Sequence, residues 1–335
     1  MKSTGMVLSL LAAVVLLCGC GGKEASDKPQ ESILESISRK SQGPRAQKGV
    51  IAVSVLTRTN PFFNTIVEHM EAEAGQHGYE ILATSGEFDV AKQKDQVKDF
   101  IVRKVSAIVL CPCDSMAIAP AIKEANGAGI PVFTADIACL DKGVKVVSHV
   151  ATDNYGGGRA AAQAIIEVLD GKGKVGILDY PEVESVILRT RGFDAELAEA
   201  NQRPDVDIEV VARLPGGGVR DKSFKAMQDM LQAHADLDAV FAINDPSALG
   251  ARAALEKAGK ADQVVLVGFD GQPEGKQAIK EGKIYADPIQ FPDRIGVETV
   301  RAIVEHFEGE DVPPEILIPV SLYRKEDAEN DPELQ

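Results

Sequence analysis

Short, nearly continuous apolar runs alternate along most of this chain with longer stretches whose apolar positions recur at helical spacing. Residues 50–56 are apolar at all but one position, the pattern of a strand covered on both faces. The next segment sets Phe63, Ile66, Val67, Met70 and Ala74 on one stripe, which predicts an amphipathic helix. A strand over 79–83, a helix carrying Val90, Val97, Phe100 and Ile101, and strands over 107–110, 144–150 and 174–179 continue the alternation. Such alternation with short gaps predicts an α/β fold with parallel sheets.

The pattern also repeats itself. Ala107-Ile108-Val109-Leu110 meets a small polar turn, Cys113-Asp114-Ser115, then an alanine-rich helical stretch, then Gly129-Ile130-Pro131-Val132-Phe133-Thr134-Ala135-Asp136. Residues 239–243 are likewise followed by Asn244-Asp245-Pro246-Ser247, an alanine-rich helix and Val264-Val265-Leu266-Val267-Gly268-Phe269-Asp270. Each copy reads as strand, crossover helix and parallel strand, and each ends in a carboxylate. Ligands of open α/β sheets bind beyond the carboxyl ends of the strands, so Asp136 and Asp270 are expected on the binding edges of two sheets. Two such lobes facing one another form a cleft. A chain of 335 residues has room for two cores of ordinary size.

Composition narrows the partners. A formal net charge of -15 argues against nucleic acid, whose phosphates require a basic face. At the N-terminus, Lys2 precedes an apolar stretch over 6–17 that is short for a membrane-spanning helix. The stretch ends in Leu17-Cys18-Gly19-Cys20, which resembles a bacterial lipoprotein signal. That resemblance implies a signal peptide over 1–19, lipidation of Cys20 and anchoring on the extracytoplasmic, periplasmic side of a membrane. An ordinary secretory peptide and an uncleaved anchor are the alternatives. Residues 20–48 are too polar to build a core and read as a tether.

Catalytic and cofactor readings find little support. Gly171-Lys172-Gly173-Lys174 precedes a strand, and residues 271–276 lack the Ser/Thr that follows Lys in a phosphate loop, so these glycines read as turns. None of the five histidines sits beside a nucleophile motif. No enzyme activity, cofactor or metal is expected. Cys111, Cys113 and Cys139 fall at neighbouring strand ends, where a disulfide, a soft-metal site and plain buried packing all remain open.

Binding chemistry first becomes concrete at Asn60-Pro61-Phe62-Phe63. Asn with Pro after it is helix-start chemistry, but the turn also follows a strand end, where a ring can stack on a sugar's C–H face and an amide can bond hydroxyls. This segment occurs with residues 148–154, Arg191-Gly192-Phe193, residues 241–245, residues 267–271 and residues 290–296 in the order and spacing of bacterial ribose-binding proteins. From Gly49 to about Val320 the chain resembles that family of receptors for ABC importers. The resemblance implies the type I periplasmic binding fold, two Rossmann-like lobes joined by a three-strand hinge. Its lobes would comprise 49–152 plus 291–319 and 153–290 plus 320–335, with crossings near 151–154, 287–290 and 319–321. It further implies sugar contacts at Asn60, Phe62, Phe63, Asp136, Arg191, Asn244, Asp270 and Gln290. A small carbohydrate ligand, an ABC permease partner and a monomeric state complete the expectation. A sugar sensor for chemotaxis or a histidine kinase is the alternative function.

Three positions depart from the ribose-binding pattern. Ile137 stands where the family has Arg, Cys111 where it has Asn, and the turn Leu214-Pro215-Gly216-Gly217-Gly218 supplies no aromatic ring. A less polar or bulkier ligand than ribose is therefore expected.

Overall fold

The computed structural model describes residues 48–335, so the signal segment, Cys20 and all of the tether except Lys48 lie outside the described residues. The strands form two sheets. The first contains β1 (Gly49–Val55), β2 (Tyr79–Ser85), β3 (Ala107–Leu110), β4 (Val132–Ala135), β5 (His149–Thr152) and β11 (Glu315–Ile318). Its order is β11-β5-β4-β3-β1-β2, with every pair parallel. The second contains β6 (Lys172–Asp179), β7 (Asp207–Pro215), β8 (Ala239–Ala242), β9 (Val265–Val267), β10 (Ala286–Ile289) and β12 (Ser321–Arg324). Its order, β12-β10-β9-β8-β6-β7, repeats the first strand for strand, and only the β10–β12 pair is antiparallel. The internal echo is thus a duplicated α/β architecture.

Helices cover both faces of each sheet, which is why the central strands read as unbroken apolar runs. Helices α1 (Pro61–His77), α2 (Val90–Arg103), α3 (Ala119–Gly127) and α9 (Pro292–Glu308) pack on the first sheet. The second carries α4 (Asn154–Val168), α5 (Glu184–Ala200), α6 (Arg220–Ala233), α7 (Asp245–Lys257), α8 (Pro273–Lys280) and α10 (Lys325–Asn330). All four residues of β3, β4, β5 and β8 are buried. The chain passes from the first sheet to the second between β5 and α4, returns between β10 and α9, and crosses again between β11 and β12.

The strand expected over 144–150 begins only at His149. Asn126 explains the delay: its side chain donates to the Lys145 carbonyl at 3.0 Å and accepts from the Lys145 amide at 2.8 Å. Those bonds hold the preceding segment as a loop, from which Val144 and Val146 still pack on the core beside α2 and α3.

Two glycines position the helix that matters most to the cleft. A Cβ on Gly158 of α4 would lie 1.9 Å from the Arg189 carbonyl oxygen, and one on Gly192 of α5 would lie 2.0 Å from that of Tyr155. Only glycine allows α4 and α5 to approach this closely, and their contact seats Arg189 beneath the cleft.

Candidate functional site

Between the lobes, at the carboxyl ends of the strands, lies a cavity. Asn60, Phe62, Phe63, Asp136, Asn244, Asp270 and Gln290 all line it. Arg191 does not: it is exposed on α5, and the cavity's guanidinium is Arg189. Two residues along a helix rotate a side chain by about 200°, so 189 and 191 face opposite ways. The buried positions Val186, Arg189 and Phe193 follow helical spacing, and an arginine on that apolar stripe is the signal that points inward.

Local helix chemistry places the two asparagines. Asn60 caps α1, its side-chain oxygen accepting from the Phe62 amide at 3.0 Å beside Pro61. Asn244 caps α7 by accepting from the Ser247 amide at 3.0 Å, while its amide group donates to the Gly218 carbonyl at 3.0 Å. Each asparagine is therefore a rigid side chain fixed at a helix N-terminus on the cleft wall. The Phe62 and Phe63 rings meet edge to face with centroids 5.3 Å apart.

Around Asp270 a closed ring of hydrogen bonds, spanning the junction of the two sheets, organises the polar groups. Arg189 donates from Nη1 to Asp270 Oδ1 at 3.2 Å and from Nε to Asn154 Oδ1 at 2.8 Å. Asn154 donates to the Thr152 carbonyl at 3.1 Å, and the Thr152 hydroxyl donates to Gln290 Oε1 at 2.7 Å. Gln290 Nε2 closes the ring on Asp270 Oδ1 at 2.6 Å. Arg189 also donates to the Ile243 carbonyl at 2.6 Å and stacks 3.8 Å from the Phe269 ring centroid. Thr152, Asn154 and Gln290 flank two of the interlobe crossings, so cavity-lining groups and crossings share one network. Burial raises the Asp270 pKa, while Arg189 and hydrogen bonds from Gln290 and Asn60 pull it down.

Asp136 has no such company. It follows β4 directly and is only 3% exposed, yet its Oδ1 has no hydrogen-bond partner. Burial pushes its pKa up to about 7; Arg189 opposes the rise, and the charges of Asp270 and Glu184 add to it. Both aspartates adopt positive φ, 64° at Asp136 and 107° at Asp270, conformations uncommon for non-glycine residues. A buried acceptor without a donor, facing a fixed guanidinium and carboxamides, suits a neutral ligand rich in hydroxyls.

Ile137 lines the cavity, and Gly218 does so without a side chain. Phe88 and Tyr180, which the motifs did not single out, line it as well. Cys111, Cys113 and Cys139 are free thiols, the first two buried. Among the described residues, no group of three or more Asp, Glu, His or Cys side chains is arranged to hold a metal ion. No described helix is long and apolar enough to cross a membrane.

Comparison with known proteins gives the family and supports the fold. A family model described as a periplasmic binding protein domain matches residues 51–311. The chain is 38% identical over 279 residues to the ribose import binding protein of Salmonella typhimurium, covering 83% of this chain and 92% of that protein. It superimposes on an ABC transporter solute-binding protein from Bacillus halodurans with bound myo-inositol at a TM-score of 0.76, with 28% identity, covering 85% of this chain and 97% of that one. A similar receptor from Agrobacterium vitis with bound D-fucose gives a TM-score of 0.77 and 29% identity, covering 85% of this chain and 98% of that one.

Proposed function

From the premise that this chain belongs to the periplasmic binding protein domain family, we propose that it is the solute-binding lipoprotein of an ABC importer. It captures one small sugar or polyol between its lobes and delivers it to the permease. The family binds substrates for transport and does not transform them, so the chain is not an enzyme. The observation that carries the ligand class is the pairing, across one cavity, of the unpartnered Asp136 Oδ1 with the Arg189–Asp270–Gln290 network.

Hydroxyls of the ligand donate to Asp136 and Asp270 and accept from Arg189, Asn60, Asn244 and Gln290. The ligand touches both lobes and therefore favours their closed arrangement, which the permease distinguishes from the open one. Lipid on Cys20 holds the protein, as a monomer, on the periplasmic side of the membrane.

Two measurements test this reading. In a thermal-shift panel of sugars and polyols, a ligand at about 100 times its Kd adds roughly 2.7 kcal/mol of stability; a panel without any shift counts against it. Cys20→Ser is expected to move the folded protein from the membrane fraction to the soluble periplasmic pool. Unchanged fractionation contradicts the anchor alone.

A further inference from the structure

Phe88 and Tyr180 stand on opposite lobes and meet across the cavity. Phe88 lies between β2 and α2, Tyr180 between β6 and α5. Their ring centroids are 6.4 Å apart, edge to face. The Tyr180 hydroxyl donates to the carbonyl of Cys113 on the other lobe at 3.4 Å, so its one polar atom is engaged away from any ligand. Phe88 is presented against backbone preference: Glu87 and Phe88 are consecutive left-handed residues, at φ 54° and 61°. Bonds from the Phe88 amide to the Leu56 carbonyl at 3.1 Å and from the Asp89 amide to the Gly86 carbonyl at 3.0 Å hold the turn.

The glycine turn lies against the Tyr180 ring. A Cβ on Gly218 would lie 3.5 Å from Tyr180 Cδ1 and 3.3 Å from Asn244 Nδ2. The second lobe thus offers an aromatic face from the β6–α5 connection instead of from the 214–218 turn. With Ile137 beside Asp136, these rings make an apolar stretch of cavity wall, whose one polar side-chain group, the Tyr180 hydroxyl, has its proton committed to the Cys113 carbonyl.

We propose that Phe88 and Tyr180, with Ile137, determine specificity by selecting a monosaccharide with an apolar edge, such as a 6-deoxy group, over its 6-hydroxy counterpart. The proposal rests on the sugar-binding reading above. A hydroxyl pressed against this wall loses its water and finds no partner, whereas a methyl group there gains burial. Apolar pockets discriminate such pairs by roughly 10- to 100-fold. Because the rings come from different lobes, the wall is complete only when the lobes meet, and a ligand that fills it also favours closure.

Calorimetric titration with matched hexoses decides the matter: D-fucose against D-galactose, L-rhamnose against L-mannose, and 6-deoxy-D-allose against D-allose. The wild-type protein is expected to bind the deoxy member of at least one pair about tenfold tighter or more. Phe88→Ala and Tyr180→Ala should bring that ratio close to one, while Phe88→Leu and Tyr180→Leu, which keep apolar volume, should lower it less. Tighter binding of the hydroxylated member in every pair that binds, or a ratio unmoved by both alanine variants, overturns the specificity proposal but leaves the sugar-binding reading standing. Failure of the folded protein to bind any sugar or polyol overturns that reading, and the proposal with it.

Discussion

Asp136 and Asp270 end corresponding segments of two lobes built to one strand order, and both sit on left-handed backbone, yet their surroundings are opposite. Asp270 is bonded to Arg189 and Gln290 and, through them, to the crossings at Thr152 and Asn154. Asp136 carries a buried oxygen with no partner. Duplication reproduced the scaffold without reproducing the polar groups at its edge: Asp270 belongs to a network that reaches across the crossings to Thr152, and Asp136 carries a buried oxygen outside any such network. Stability and binding should therefore separate at these two positions.

The largest effect is expected at Asp270. Asp270→Ala leaves the Arg189 guanidinium buried without its carboxylate, a change that costs about 3–5 kcal/mol of folding stability in urea titrations. Sugar binding should fall as well. Wild-type stability in this variant would erase the contrast between the lobes.

Next comes Asp136. Asp136→Ala should weaken sugar binding by about 1.5–3 kcal/mol, as for a hydrogen bond to a charged group, while the ligand-free protein, relieved of a buried carboxyl that costs stability as pH rises towards 7, unfolds at a urea concentration no lower than that of wild type. A loss of stability matching that of Asp270→Ala would show that both carboxylates are structural.

A pH titration sharpens the same point. The folded-state pKa of Asp136 is pushed up to about 7, chiefly by burial, against an unfolded value near 3.9. Between those values the folded protein holds a proton that the unfolded chain has released, so this residue erodes stability as pH rises from about 4 through 7. Glu184, raised to about 7, and Asp287, raised to about 6, slope the same way, whereas His149, lowered to about 4 by burial, slopes oppositely below about 6.5. The informative quantity is therefore the difference between wild type and Asp136→Asn. Ligand-free Asp136→Asn should gain stability relative to wild type as pH rises from 4 to 8, and a constant difference would count against the buried, unpartnered carboxyl.

The smallest effect belongs to Arg191. Exposed on α5, it should tolerate alanine within about 0.5 kcal/mol in both stability and binding, whereas Arg189→Ala should impair both.

These residues also mark how far the chain could be read from its letters. The duplicated strand order was legible because each echo couples an unbroken apolar strand to an alanine-rich helix and a second strand. Asp136, Asp270, Asn60 and Asn244 were legible because each lies at or just beyond a strand end, where connectivity alone brings it to the cleft. Arg189 was missed in favour of Arg191 because choosing between them requires knowing which face of α5 turns inward. Phe88 and Tyr180 escaped notice for a different reason: Phe88 is presented by a left-handed backbone, and its meeting with Tyr180 depends on two lobes distant in sequence.

On the proposed reading, the interlobe cavity is a carbohydrate site completed by Asp136. Its most direct test is mass spectrometry of the small molecule released from the purified wild-type protein, followed by calorimetric titration of that molecule into wild type and Asp136→Ala. The account expects a monosaccharide or polyol that binds one to one and loses at least about tenfold in affinity in the variant. A released molecule of another chemical class, or a sugar bound equally well by Asp136→Ala, would contradict it.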